Sequence, residues 1–170
     1  MSVDKVKAYL HQWGRAEDIL EFPVSSATVQ LAAEALQVIP ARIAKTLSFK
    51  GKEDRGILIV AAGDAKIDNA KFKHFFGLKA KMLTPEEVLL YTGHAVGGVC
   101  PFAIDNPQVD CYLDISLQRF ETVYPAAGSS NSAIELTCDE LAAYAHSTAW
   151  IDVCKGWQEE RVDRGENPAL

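Results

Sequence analysis

Arg42-Ile43-Ala44-Lys45-Thr46-Leu47-Ser48-Phe49-Lys50 is the stretch that decides the fold of this chain. Alternation along an extended segment puts Ile43, Lys45, Leu47 and Phe49 on one face and Ala44, Thr46 and Ser48 on the other. A polar turn, Lys50-Gly51-Lys52-Glu53-Asp54-Arg55-Gly56, comes next, and Ile57 to Ala62 reads as a buried strand. The two segments predict a hairpin or close neighbours in a sheet. Lys45 shares its face with three apolar residues. Such a lysine either snorkels to solvent or projects a cation into a cleft.

Elements alternate outward from this pair. Val3, Val6, Leu10 and Trp13 recur at helical spacing, with Gly14 as a stop. Glu17 to Val24 reads as a short strand. Ala27 to Val38 is rich in good helix formers, with Ser26 as a cap and Pro40 beyond its end. Asp68 caps a helix that runs through Phe76 to Gly77. Thr84-Pro85-Glu86-Glu87 and Thr137-Cys138-Asp139-Glu140 both carry the capping-box pattern, opening helices that end near Gly93 and Ala145. Val109–Ile115, Glu121–Tyr124, Ala133–Leu136 and Trp150–Val153 are strand candidates. The interleaving lacks a strict βαβ repeat. It predicts a single α/β domain over residues 1–155 with a mixed, largely antiparallel sheet, and a polar tail over 156–170.

A length of 170 residues and 48% hydrophobic content suit one globular domain. No apolar run reaches the ~20 residues that span a bilayer. The start of the chain has no basic-then-apolar signal, so a cytoplasmic location is expected, with no membrane partner. Cys100, Cys111, Cys138 and Cys154 form no C-x-x-C pair and read as reduced thiols. Net charge is −6, yet ten Lys/Arg against four Asp/Glu make the 42–81 segment +6 and leave −12 for the rest. That asymmetry allows a local positive patch on an acidic protein.

Several chemistries find no support in the residues. Gly-x-Ser-x-Gly is absent. Cys100 sits in a glycine turn that can expose a thiol, but nothing in the sequence places His94 beside it in space, and a small apolar filler is the simpler role. The histidines (11, 74, 94, 146) and cysteines lack metal-ligand spacing, so no metal is expected. Walker and dinucleotide motifs are missing, and no cofactor is expected. What remains is a pocket built from backbone. In Gly93-His94-Ala95-Val96-Gly97-Gly98-Val99-Cys100-Pro101-Phe102, the glycine pair lets the main chain approach a ligand, Pro101 fixes the turn and Phe102 offers an aromatic wall. Ala126-Ala127-Gly128-Ser129-Ser130-Asn131-Ser132 offers a second loop of small residues and hydroxyls. Two such loops and a strand lysine suit an anionic, hydroxyl-rich ligand.

These pieces, in this order and spacing, resemble the YbaK/prolyl-tRNA synthetase-associated editing domain family. The likeness runs from about Leu20 to Lys155. It is carried by Ser25-Ser26-Ala27-Thr28-Val29, Ile43-Ala44-Lys45-Thr46-Leu47, Gly63-Asp64, Gly97 to Phe102 and Gly128-Ser129-Ser130-Asn131. The resemblance implies a barrel-like mixed sheet surrounded by helices, a cleft for the 3′ acceptor end of mischarged tRNA, and hydrolysis of the aminoacyl ester without a metal. It implies Lys45, Gly97 and Gly98 as the catalytic set. Ser26, Thr28, Thr46, Cys100, Pro101, Phe102, Gly128, Ser129 and Asn131 are the implied substrate-binding positions. Partners on this reading are tRNA and, in some settings, an aminoacyl-tRNA synthetase, with no DNA. A binding module that keeps the fold and captures tRNA or a nucleotide without hydrolysis is the alternative.

Overall fold

The computed structural model of the chain describes residues 2–158. Its helices are α1 (Ser2–Leu10), α2 (Val29–Leu36), α3 (Asn69–Phe76), α4 (Pro85–Thr92) and α5 (Cys138–Tyr144). The strands are β1 (Leu20–Glu21), β2 (Ile43–Lys50), β3 (Gly56–Ala62), β4 (Lys66–Ile67), β5 (Val109–Asp114), β6 (Thr122–Pro125), β7 (Ser132–Ala133), β8 (Leu136–Thr137), β9 (Ala149–Ile151) and β10 (Cys154–Lys155).

Six strands form the main sheet in the order β8-β6-β2-β3-β5-β9, curled into a half-barrel with helices packed around it. β2 and β3 are the expected hairpin, antiparallel from Ala44 opposite Ala62 to Lys50 opposite Gly56. β3 lies between β2 and β5, and all seven of its residues are buried. The sheet is mixed, as expected, but the antiparallel pattern stops at the hairpin and the β6–β8 edge. β2–β6, β3–β5 and β5–β9 are parallel. The reason is the connections: β3 reaches β5 only through α3 and α4, and a long crossover lets a strand return in the same direction.

Local signals account for most boundaries. Asp68 accepts from Ala70 and Lys71 N–H at the start of α3. Thr84 and Thr137 complete both capping boxes, and Gly77 and Gly93 end α3 and α4 in the left-handed region. Three elements differ from expectation. The 17–24 segment is a short 3-10 turn followed by only two strand residues, which pair with β7. α2 is capped by the Thr28 hydroxyl, which accepts from Leu31 N–H, whereas Ser26 N–H donates to Ser130 O at 2.6 Å. The 133–136 strand is split: β7 pairs with β1 and β8 with β6, and Ile134 is fully buried between them.

The core joins the buried sheet residues to the buried faces of α1, α3 and α5. Phe72 packs on Phe49 (ring centroids 5.0 Å) and Phe76 on Tyr112 (5.2 Å). Val3, Val6 and Leu10 bury one stripe of α1, and Trp13 stacks on Tyr144 at 4.4 Å. The packed chain reaches past Lys155: Trp157 is 4% exposed, under the Arg119 guanidinium at 4.9 Å. The rest of the expected polar tail, 159–170, lies outside the described residues. Among the described residues no helix is long and apolar enough to cross a membrane.

Candidate active site at an open strand edge

β2 is paired on its outer side only at its two ends. β6 runs beside Ile43 and Ala44. At the other end Phe49 faces Met82, Leu83 N–H donates to Ser48 O (3.1 Å) and Lys50 N–H donates to Lys81 O (2.8 Å). Between these ends the described pairings give the strand no outer partner. A cleft of about 340 Å³ opens there. Ile43, Ala44, Lys45, Thr46 and Ser48 all line it. Successive strand residues point to opposite faces, so a cleft touching all of these meets the strand edge-on. Its remaining walls include Thr28 and Val29 at the start of α2, Leu83 and Val88 around α4, Gly97 and Val99 of the glycine loop, Tyr124 of β6 and Ala126 just after it.

The Lys45 ammonium donates to Gly63 O (3.3 Å) and to Ala65 O. Two of its three N–H groups are thereby used, and one is left. Burial lowers its pKa from the ordinary 10.5, opposed in part by neighbouring acidic groups that include Asp64. The turn that supplies these carbonyls is itself held firmly. Asp64 takes both Arg119 Nη atoms, at 2.9 and 2.5 Å, and the Arg119 side chain is only 9% exposed. Buried Asp114 accepts from Ser116 and Val153 N–H at 2.9 Å, and Ser116 Oγ accepts from Ala62 N–H at 3.1 Å. The sequence carries no sign of this support beyond the Gly63-Asp64 pair.

Gly97 lines the cleft with φ +97°, a conformation that suits glycine. Gly98 does not line it. Its Cα packs on the second loop, where an added Cβ would lie 2.8 Å from Ser129 Cα. Gly128, Ser129 and Asn131 likewise lie outside the cleft lining. A Cβ on Gly128 would sit 2.8 Å from Ser2 O and Val6 Cγ2 of α1. Ser129 Oγ donates to Asn131 Oδ1 (2.9 Å), and Asn131 Nδ2 donates to Phe22 O (2.8 Å). The loop is a junction that ties α1, the 20–26 segment and the glycine loop together. Ser26, Thr28 and Thr46 do line the cleft, although the Thr28 hydroxyl is occupied as the α2 cap. Thr46 Oγ1 is buried without a partner among the described residues.

Cys100, Pro101 and Phe102 are the clear correction. Cys100 and Phe102 are fully buried in the main core, and Pro101 lines a separate cavity of about 120 Å³ beside Tyr9 and Cys111. The glycine pair turns the chain inward, and buried His94 pins it there. Phe102 O can only accept, so His94 Nε2 carries the proton, donating at 2.8 Å, and Nδ1 accepts from the Ser2 hydroxyl. Cys100 Sγ is 3.5 Å from His94 Nε2, but burial pushes its pKa up to about 12, so the thiol stays protonated. Cys100→Ser is therefore expected to leave turnover at the cleft unchanged. It should cost about 1–3 kcal/mol of stability, read by urea unfolding, because a hydroxyl replaces a buried thiol.

His94 also predicts a pH effect. Burial lowers its pKa below the ordinary 6.5, so an unfolded chain binds a proton that the folded one refuses. Stability from this residue is complete above about 6.5 and declines as pH falls below it, by at most about 1.4 kcal/mol per pH unit. Urea midpoints at pH 7.5 and 5.5 should differ less in His94→Gln than in the wild type. An equal difference in both would remove His94 as the cause.

Wall residues contributed by 82–88 and by Tyr124 escaped the sequence reading, since periodicity shows strand faces and not which edge lacks a neighbour. The basic segment is also less free than its count suggests. Arg42 pairs with Glu135, Lys50 with Glu87, Arg55 with Asp110 and Lys71 with Asp152, whereas Lys52, Lys66, Lys73, Lys79 and Lys81 are exposed. Among the described residues no three His, Cys, Asp or Glu side chains converge as a metal site.

The half-barrel with helices around it is the fold of the editing-domain class of proteins. The family described as the aminoacyl-tRNA editing domain matches residues 24–144, and this chain belongs to it. The uncharacterized protein YwhH of Bacillus subtilis (strain 168) is 58% identical over 159 residues, covering 93% of this chain and all of that protein. A proline–tRNA ligase of Thermotoga maritima is 35% identical over 94 residues, which are 55% of this chain and 16% of the ligase. A solved structure described as "a putative trans-editing enzyme for prolyl tRNA synthetase" superposes with a TM-score of 0.81 at 30% identity, over 91% of this chain and 98% of that one.

Proposed function

We propose that this chain is a free-standing deacylase that cleaves the ester between a wrong amino acid and tRNA. The observation that carries the reading is the half-buried Lys45 ammonium on the cleft wall, held with one N–H to spare. Family membership and the editing-domain likeness support it. The reaction adds water to the ester carbonyl carbon. The bond from that carbon to the ribose oxygen breaks, the ribose oxygen leaves with a proton, and free amino acid and tRNA result. Lys45 and the Gly97 main chain would orient the ester and stabilise charge on its carbonyl oxygen. A water held by the substrate and the backbone is the nucleophile in this scheme. The 42–81 lysines that remain exposed would meet the RNA backbone, so binding should weaken steeply as salt rises from 50 to 200 mM. A salt-independent affinity for charged tRNA would remove that role.

One observation favours the second reading, a module that holds tRNA or a nucleotide without hydrolysis: among the described residues, the cleft lining contains no His, Asp or Glu. The experiment that separates them is deacylation of tRNAs charged with Ala, Cys, Ser, Thr and Pro, by wild type and Lys45→Ala in parallel. Hydrolysis of one or two species, lost in Lys45→Ala, supports the deacylase and names its amino acid. Bound tRNA with every ester intact supports the module. Walls that differ by a methyl group discriminate by only ~1–3 kcal/mol, so the panel must include all five.

A further inference from the structure

We infer that the open edge of β2 reads the adenine base of the terminal tRNA nucleotide through main-chain atoms of Thr46 and Ser48. The inference rests on the tRNA reading above and adds a subsite to it.

Main-chain groups of one strand residue point to the same side, and alternate residues share that side. Ser48 O and Lys50 N–H bond outward to the 81–83 segment, away from β3. The even-numbered residues therefore face outward. Ala44 is taken up by β6, and Ser48 O by Leu83. The outward groups between them are Thr46 N–H, Thr46 C=O and Ser48 N–H. An acceptor at one residue and a donor two residues on form an adjacent pair along a strand edge. Adenine presents the complement, a 6-amino donor beside a ring-nitrogen acceptor. Leu83, Val88 and Val96 supply apolar surface at that end of the cleft for a flat ring. Thr46 Oγ1, buried and unpartnered beside the gap, adds one more group that a ligand can satisfy.

A peptide strand is the other natural occupant of a bare edge, but it needs room to run on. Here both ends are closed, by β6 and by the 81–83 segment, which leaves a slot the length of a base. The base at the 82–88 end puts the ribose and its ester toward Lys45 and Gly63, nearer the β6 end.

The test is a titration of the ¹⁵N-labelled full chain with the 5′-monophosphates of adenosine, inosine and purine riboside. Inosine reverses the donor and acceptor, and purine riboside lacks the amino group. Adenosine monophosphate should shift the Thr46 and Ser48 amides, and both analogues should bind about tenfold more weakly. Equal binding of the three, no binding of adenosine monophosphate, or binding that leaves those two amides unmoved would each overturn the inference. Because the readout is binding, the two proposals fail separately. Deacylation of charged tRNA without adenine selectivity keeps the deacylase and removes the subsite. Adenine selectivity without deacylation of any panel member does the reverse.

Discussion

Lys45→Ala is expected to lower single-turnover deacylation of charged tRNA by about 10²-fold or more while the protein stays folded. The side chain lost is the cation on the cleft wall, and its carbonyl partners, Gly63 O and Ala65 O, sit in a turn that has other support. The melting temperature should therefore move far less than the rate. Lys45→Arg should not restore turnover, because a planar guanidinium fork cannot occupy the space of an ammonium gripped by two carbonyls. The pH profile gives a second check. Burial lowers the lysine pKa, so activity should decline with rising pH before the ordinary value of 10.5 is reached. A Lys45→Ala protein that deacylates at the wild-type rate would overturn the lysine's role outright.

Among the described glycines, Gly63→Ala should be the most damaging added methyl. The new Cβ would lie 2.0 Å from Pro40 O and 2.7 Å from Val29 Cγ1. The first neighbour is backbone, so no side-chain rotation relieves it. Either α2 and the Pro40–Arg42 turn that follows it move away from β3, or the turn after β3 shifts. The first motion displaces Val29 from the cleft wall, and the second moves a carbonyl that holds Lys45. We expect a stability loss at or above about 1–3 kcal/mol by urea unfolding, with a larger fractional loss of turnover. Unchanged stability would mean that Pro40 retreats freely, and the close packing described here would be wrong.

The contrast between these two residues shows what the sequence could convey. Lys45 is visible because a charge interrupts an apolar alternation, and the caps at Asp68, Thr84 and Thr137 are visible because capping is local chemistry. Gly63 is visible only as part of a family pattern, since its requirement comes from Pro40, more than twenty positions away. The same holds for Cys100 and Phe102. A glycine pair predicts a sharp turn, but whether the next residues face a ligand or the core depends on His94 at the head of the same loop, which holds Phe102 O and is itself held by Ser2 of α1. Gly128, Ser129 and Asn131 look like ligand-binding chemistry, yet they lie outside the cleft lining and pack on or bond to α1 and the 20–26 segment. The order of the sheet was the least legible feature, because parallel or antiparallel return is set by the path of the connections.

The unpaired stretch of β2 has a consequence for how this protein must be mapped. A grip made of Thr46 C=O and Ser48 N–H belongs to the polypeptide itself, and no side-chain truncation deletes it. An alanine scan would pass over the slot in silence while registering Lys45 and the walls. The same insulation works over evolutionary time. On the proposed reading, a wall residue away from the base, such as Val29, can drift and retune which amino acid is admitted, and the handle on the nucleic acid persists as long as β2 remains a strand.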